Sequence, residues 1–184
     1  MTISNTPIAD LLILEPKIWP DNRGYFFESF SQKVFDDAGI KAQFVQDNQS
    51  LSQKGTLRGL HAQAPPFAQG KLVRVISGSV IDVAVDVRKN SPSYGQHFCI
   101  ELSGTNHKQL WIPPGFLHGF LTLEDHTIFA YKVSNIYDKA SEISVKWDDP
   151  DLAIDWGSFL DPSSFLLSEK DSTLGSFKDF NSPF

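Results

Sequence analysis

Short apolar segments punctuated by Gly, Pro and Asn make up the middle of the chain, and helical spacing is scarce. The densest run is Leu72-Val73-Arg74-Val75-Ile76, then Ser77-Gly78-Ser79, then Val80 to Val87. In the second segment Ile81, Val83, Val85 and Val87 alternate with Val80, Asp82, Ala84 and Asp86. A period of two after a glycine-centred turn predicts a β-hairpin. Further strands are predicted over 96–102, 109–112, 119–122 and 127–133.

One short helix is predicted at Ser31-Gln32-Lys33-Val34-Phe35-Asp36-Asp37-Ala38-Gly39, with Ser31 as N-cap and Gly39 past its end. Asp149-Pro150-Asp151-Leu152-Ala153 reads as a helical turn, and the stretch from Ser158 onward as loop with one or two turns. The expected fold is all-β: a double-sheet jelly roll with extra strands and small C-terminal helical turns. No low-complexity stretch, charge block or repeat divides the 184 residues, so one domain over 1–184 is expected.

Composition narrows the partners. Fifteen Phe, four Trp and four Tyr suit a pleated surface better than a helix. A net charge of −6 supplies no basic field for a nucleic acid, although a few local Arg and Lys can still receive an anionic small molecule. The single cysteine, Cys99, forms no intrachain disulfide and reads as a buried strand thiol. Met1-Thr2-Ile3-Ser4 lacks the basic and apolar regions of a signal peptide, and no apolar run approaches a membrane span. A cytoplasmic protein without a membrane partner is expected.

Five features stand apart from the strand pattern. Asp21-Asn22-Arg23-Gly24-Tyr25-Phe26-Phe27-Glu28 sets charges beside aromatics, and Gln46-Asp47-Asn48-Gln49-Ser50 clusters amides. Leu57-Arg58-Gly59-Leu60-His61-Ala62-Gln63 separates a cation and an imidazole by three positions, with Lys71 ten beyond His61. Trp111-Ile112-Pro113-Pro114-Gly115-Phe116-Leu117-His118 places an imidazole past a Pro-Gly turn. Phe129-Ala130-Tyr131-Lys132 and Ser168-Glu169-Lys170-Asp171 add a phenol and a Lys-Asp pair. Taken singly, each has a plain structural explanation: a hydrogen-bonded strand His, a core Tyr, a surface ion pair, an Asx turn, a polar tail.

Pro113-x-Gly115-x-x-His118 is similar to the second motif of cupins, jelly rolls that often hold a metal with two His and a carboxylate. The place of the first motif reads His61-Ala62-Gln63 with no nearby Glu, and Gln is a poor transition-metal ligand. A metal-dependent cupin is therefore a rival reading, and no metal is the expectation.

Read together, the motifs resemble the dTDP-4-dehydrorhamnose 3,5-epimerase family from about Leu12 to Leu174. They are Asp21-x-Arg23-Gly24-Tyr25-Phe26, Gln46-Asp47-Asn48, Leu57-Arg58-Gly59-Leu60-His61, Lys71-Leu72-Val73-Arg74-Val75, Asp82-Val83-Ala84-Val85-Asp86-Val87-Arg88, Gln109-Leu110-Trp111-Ile112-Pro113, His118-Gly119-Phe120, Tyr131-Lys132 and Asp148-Asp149-Pro150-Asp151. The resemblance implies a cupin-type jelly roll, commonly a homodimer, that uses no metal and no cofactor. It makes His61 the base, Asp171 its dyad partner, Lys71 the cation at the 4-keto oxygen and Tyr131 the opposing acid. Arg23, Glu28, Gln46, Asp47, Asn48, Arg58, His118, Glu142 and Lys170 fall at or near substrate positions, and Phe26 and Tyr137 at packing positions. The segment from Arg23 to Glu28 would serve a neighbouring subunit's site.

These residue types suit removal of a proton alpha to a ketone. An imidazole with an unperturbed pKa of about 6.5 is mostly neutral at physiological pH, and a carboxylate behind it fixes its tautomer. A phenol delivers a proton to an enolate, a fixed ammonium meets the enolate oxygen, and guanidinium forks suit a diphosphate. Gln46 and Asn48 carry the donors and acceptors to read a pyrimidine edge. Some relatives epimerise C3 alone or C5 alone, and Ala62 stands where an aromatic is common in the family. The carbons that react, and the alternative of a sugar-nucleotide binding module without catalysis, stay open at this point.

Overall fold

The computed structural model describes all 184 residues. The strands in chain order are β1 (Thr2–Asn5), β2 (Leu12–Glu15), β3 (Trp19–Asp21), β4 (Gly24–Phe26), β5 (Gln46–Ser52), β6 (Leu57–Gln63) and β7 (Lys71–Ser77). They continue as β8 (Ser79–Asp86), β9 (His97–Ser103), β10 (Gln109–Ile112), β11 (Phe116–Thr122), β12 (Thr127–Val133) and β13 (Glu142–Ser144). A single α-helix, α1 (Gln32–Asp37), follows β4.

All strand pairs are antiparallel and form a six-stranded sheet, β1-β2-β10-β7-β12-β5, and a five-stranded sheet, β13-β6-β11-β8-β9. β3 and β4 make a separate two-stranded ribbon. The expected double-sheet jelly roll is what the chain forms. Val73, Val75, Leu110 and Phe129 of the larger sheet meet Val80, Ala84, Phe116 and Phe120 of the smaller one in a shared core. Phe120 and Phe129 stack across the gap with ring centroids 4.2 Å apart.

One expectation needs correction. The densest apolar run is not a hairpin: β7 pairs with β10 and β12, whereas β8 pairs with β9 and β11. The turn at Gly78 (φ +79°) is a corner that carries the chain from one sheet to the other. Every residue of β8 is buried, which a solvent-facing hairpin would not allow. Ile81, Val83, Val85 and Val87 turn away from the shared core and are covered by Leu152, Ile154 and Trp156 from the C-terminal segment. Ser31 stands at the N-cap of α1 as expected, although its side chain accepts no capping hydrogen bond. Gly39, at φ +74°, does follow the helix end.

The remaining predicted strands appear with ends shifted by a few residues, and Gly119–Thr122 extends back to Phe116. Cys99 lies half-buried on β9, where burial pushes its thiol up to about 11, so it holds its proton. A turn closes at Asp149, which accepts from Ala153 N at 3.0 Å, and three short 3₁₀ turns follow at Trp156–Ser158, Pro162–Ser164 and Asp171–Thr173. No helix is long and apolar enough to cross a membrane.

β6 carries a bulge. Its register to β11 jumps from His61 opposite His118 to Arg58 opposite Phe120, three residues against two. Gly59, at φ +130°, sits in the extra position, and a Cβ there would lie 2.5 Å from Gly119 Cα. Gly59→Ala should therefore unfold in denaturant at least about 2 kcal/mol more easily than wild type, through backbone strain and overpacking. A midpoint unchanged within error would show that the bulge relaxes without its glycine.

Candidate active site

Strand alternation builds the site. On the six-stranded sheet Asn48 pairs with Tyr131 and Tyr131 with Val73, so these share the inner face with Gln46 and Lys71. On the five-stranded sheet His61 pairs with His118 and Ser144, and Gln63 with Glu142, again on the inner face. A regular strand would send Arg58 and His61, three apart, to opposite faces. The Gly59 bulge restores them to one.

At this end of the sandwich the apolar core gives way to two adjoining cavities of about 360 and 350 Å³. His61, Lys71, Tyr131 and Lys170 line both. Gln46, Asn48, Tyr137 and Glu142 line one, and Arg58, His118 and Asp171 the other.

His61 Nε2 lies 2.7 Å from Asp171 Oδ1, close enough for a charge pair though neither atom has an aligned hydrogen bond. Nδ1 of His61 is the ring nitrogen left to exchange a proton. Asp171 is almost fully enclosed, and its other oxygen accepts from Ser168 Oγ at 2.8 Å. Burial works against its charge, yet the contacts to His61 and Ser168 hold its carboxyl below the usual range.

Lys71 keeps some exposed surface, but its ammonium is desolvated. Burial pulls its pKa down to about 8, against the opposing pull of Asp82 and Glu142. Burial raises the Tyr131 phenol above its ordinary value, only partly countered by the charge of Arg58, so it stays protonated at neutral pH. Glu142 accepts from Tyr137 Oη at 2.9 Å and pairs with Lys170. Burial opposes its charge, but these partners keep its carboxyl low. Gln46 Nε2 donates to Asn48 Oδ1 at 2.8 Å, a pair that presents amide edges to the cavity.

Four expected site residues are not brought to this cavity by the chain's own fold. Asp47 falls on the outer face of β5 because the pleat alternates, and Lys132 Nζ donates to it at 2.9 Å. Arg23, Phe26 and Glu28 belong to the β3–β4 ribbon and the residues after it, outside both cavity linings. Arg23 folds back on Asp21 at 2.6 Å.

Other residues at the site were not singled out from the sequence. Gln63 reaches the cavity wall and accepts from Asp138 N at 2.9 Å, and its position two after His61 on the same strand was the available signal. Ser168 orients Asp171 from three residues upstream. Asp82 stands behind His118, with Oδ2 at 2.8 Å from Nε2. The two imidazoles that a metal-binding cupin would use thus each face a carboxylate, and Gln63 is held by backbone.

The sequence profile of the dTDP-4-dehydrorhamnose 3,5-epimerase family matches residues 5–179. The dTDP-4-dehydrorhamnose 3,5-epimerase of Shigella flexneri is 51% identical over 180 residues, 97% of each chain. The crystal structure of the enzyme so named from Elizabethkingia anophelis superposes with a TM-score of 0.93 at 46% identity, again covering 97% of each chain. That of dTDP-6-deoxy-D-glucose-3,5-epimerase from Legionella pneumophila, in complex with dTDP-4-keto-L-rhamnose, gives 0.92 at 48% identity over 98% of this chain and 94% of that one. Profile, identity and fold agree across nearly the whole length, and the chain belongs to the dTDP-4-dehydrorhamnose 3,5-epimerase family.

Proposed function

We propose that the protein converts dTDP-4-dehydro-6-deoxy-D-glucose to dTDP-4-dehydro-L-rhamnose by epimerising C3 and C5, as its relatives are named for doing. One observation carries the reading. His61 on the smaller sheet with Asp171 from the C-terminal turn, and Tyr131 on the larger sheet, line one cavity together with Lys71.

His61 Nδ1 takes the proton alpha to the ketone, and the C–H electron pair moves into the enolate whose oxygen is at C4. The Lys71 ammonium stabilises that oxygen in a site drier than water. Tyr131 then returns a proton to the carbon from the opposite face, and exchange with solvent resets both groups. No electrons leave the substrate, so the chemistry calls for no redox cofactor. Arg58 and Lys170 supply positive charge for the diphosphate, and Gln46 and Asn48 read the thymine edge.

The working form is a homodimer in which the β3–β4 ribbon of one protomer completes the other's pocket. Tyr25 and Phe26 are 57% and 66% exposed on that ribbon, an apolar surface that a partner would cover. Arg23→Ala should then raise KM several-fold although Arg23 lies outside its own pocket, and light scattering should give twice the 20.6 kDa chain. An unchanged KM, or a monomer mass, would remove the ribbon from the site.

Proton NMR in D2O, with chelator and without added metal, should show deuterium entering C3 and C5 of the substrate. His61→Ala should slow this by at least about a hundredfold, within the usual contribution of a positioned base. A loss of about tenfold or less would overturn the assignment of the base. Tyr131→Phe should still admit deuterium yet form little product, because the proton returns to the face it left. Exchange at one carbon would make the protein a single-site epimerase, and exchange lost to chelator would favour a metal-dependent cupin.

The pH profile follows from Lys71. Its cation is present below about 8 and lost as pH rises through that value, so kcat/KM should fall on an alkaline limb near pH 8. Tyr131, raised by burial, titrates higher and does not produce this limb. A profile flat to pH 9.5 would mean that the ammonium is not required.

A further inference from the structure

The ribbon that carries Arg23 and Phe26 meets the body of its own protomer at an imidazole. His107 lies in the turn between β9 and β10 with φ +54°, a left-handed conformation that is uncommon for a residue with a side chain and easy for glycine. The turn is built from other groups. His107 N donates to Ser103 O at 3.1 Å, and Asn106 Oδ1 accepts from Ser103 N at 3.1 Å and from Lys108 N at 2.9 Å. None of these bonds uses the imidazole, so a glycine at 107 would serve the backbone better.

The ring is occupied by the ribbon. Its centroid lies 4.8 Å from that of Tyr25 and 5.2 Å from that of Phe27, and these two stack on each other at 5.8 Å with their planes 20° apart. Tyr25 and Phe27 are two apart and leave the chain on one side, whereas Phe26 leaves on the other, beside Trp19 at 5.9 Å. The three-ring cluster thus decides which face of the ribbon turns to the body and which turns out. A second tether lies close by: Gln109 Nε2 donates to Ser29 O at 2.9 Å, two residues beyond Phe27. Both tethers come from the chain entering β10, which is itself paired on both sides, with β2 and β7.

We propose that His107 is a positioning residue for substrate binding: by packing against Tyr25 and Phe27 it sets the direction in which the ribbon leaves its protomer, and so where Arg23 and Phe26 arrive in the partner's pocket. The proposal rests on the ribbon exchange put forward above. Arg23 stands at the tip of the ribbon, two residues from Tyr25, so the cluster acts close to the group it aims. A ribbon without the clamp has to be ordered when the nucleotide sugar binds, and that ordering weakens binding. The reacting groups His61, Lys71, Tyr131 and Asp171 sit on other elements, and the chemical step does not depend on His107.

His107→Gly removes the ring and suits the backbone, so the variant should fold with at least wild-type stability. Its KM should rise about three- to tenfold with kcat changed less than about twofold, the scale of one or two lost aromatic contacts. His107→Asn, which also tolerates a left-handed backbone, should match it, and Tyr25→Phe, which keeps the ring, should retain the wild-type KM. In Arg23→Ala protein the same His107→Gly change should add less than about twofold, because both act through one ribbon. Hydrogen exchange of the amides over residues 19–28 should be faster in His107→Gly than in wild type. A wild-type KM in both His107 variants, a kcat loss as large as the KM effect, full additivity with Arg23→Ala, or unchanged exchange in the ribbon would each overturn the proposal. Arg23→Ala with a wild-type KM would instead strike the ribbon exchange itself, whatever His107 does.

Discussion

The bulge at Gly59 is the constraint on which the site depends. A strand that kept its pleat could present either Arg58 or His61 to the space between the sheets, but not both. The extra residue in β6 turns both inward, and the left-handed backbone that accommodates it excludes a side chain. Gly119 on β11 completes the close approach, since a Cβ there would lie 2.7 Å from Arg58 O. Two strands thus meet glycine to glycine, and His118, next to that contact, is fixed opposite His61.

Electrostatics follow from the same enclosure. The end of the sandwich that opens to solvent holds Arg58, Lys71 and Lys170 against Glu142 and Asp171, in surroundings where each charge is worth more than in water. Most are paired: Asp171 with His61, Glu142 with Lys170. Lys71 has no carboxylate within ion-pair distance, and burial brings its pKa down to about 8, near neutrality. An ammonium left unpaired in a dry cavity is suited to an oxygen that becomes negative only during the reaction. The structural charge cluster of Asp86, Arg88 and Asp10, by contrast, is fully paired at the far end of β8.

How much of this was legible in the chain differs by element. The apolar middle strands were readable because two-sided burial demands Val, Ile and Leu at consecutive positions. Their pairing was not: Ser77-Gly78-Ser79 has the composition of a hairpin turn, and only the partners across each sheet reveal it as a corner. β5 was hidden for the opposite reason. Gln46-Asp47-Asn48-Gln49-Ser50 has turn composition, yet it forms an edge strand whose inner amides face the cavity instead of a core. His61, Lys71, Tyr131 and Asp171 were placed by family motifs rather than by spacing, because three separate strands and a C-terminal turn bring them together. Asp47, adjacent in sequence to two cavity residues, lies on the other face of β5 because the pleat alternates, which adjacency in a motif does not reveal.

The division of labour between the sheets answers a stereochemical demand. Inversion at a carbon requires that a proton leave one face of the ring and arrive on the other, so base and acid cannot share a wall. In this fold His61 belongs to the five-stranded sheet, its carboxylate partner Asp171 to the C-terminal turn beside it, and Tyr131 and Lys71 to the six-stranded sheet, with the cavity between. The walls are held apart by a core whose stacked Phe120 and Phe129 join the sheets a few residues from His118 and Tyr131. That packing is close and resists compression, so the distance between His61 and Tyr131 is set by the core that joins the two sheets. A loop-built site would have to order both faces on binding. Here the spacing exists before the sugar arrives, and only the C-terminal turn carrying Asp171 lies outside the sheets.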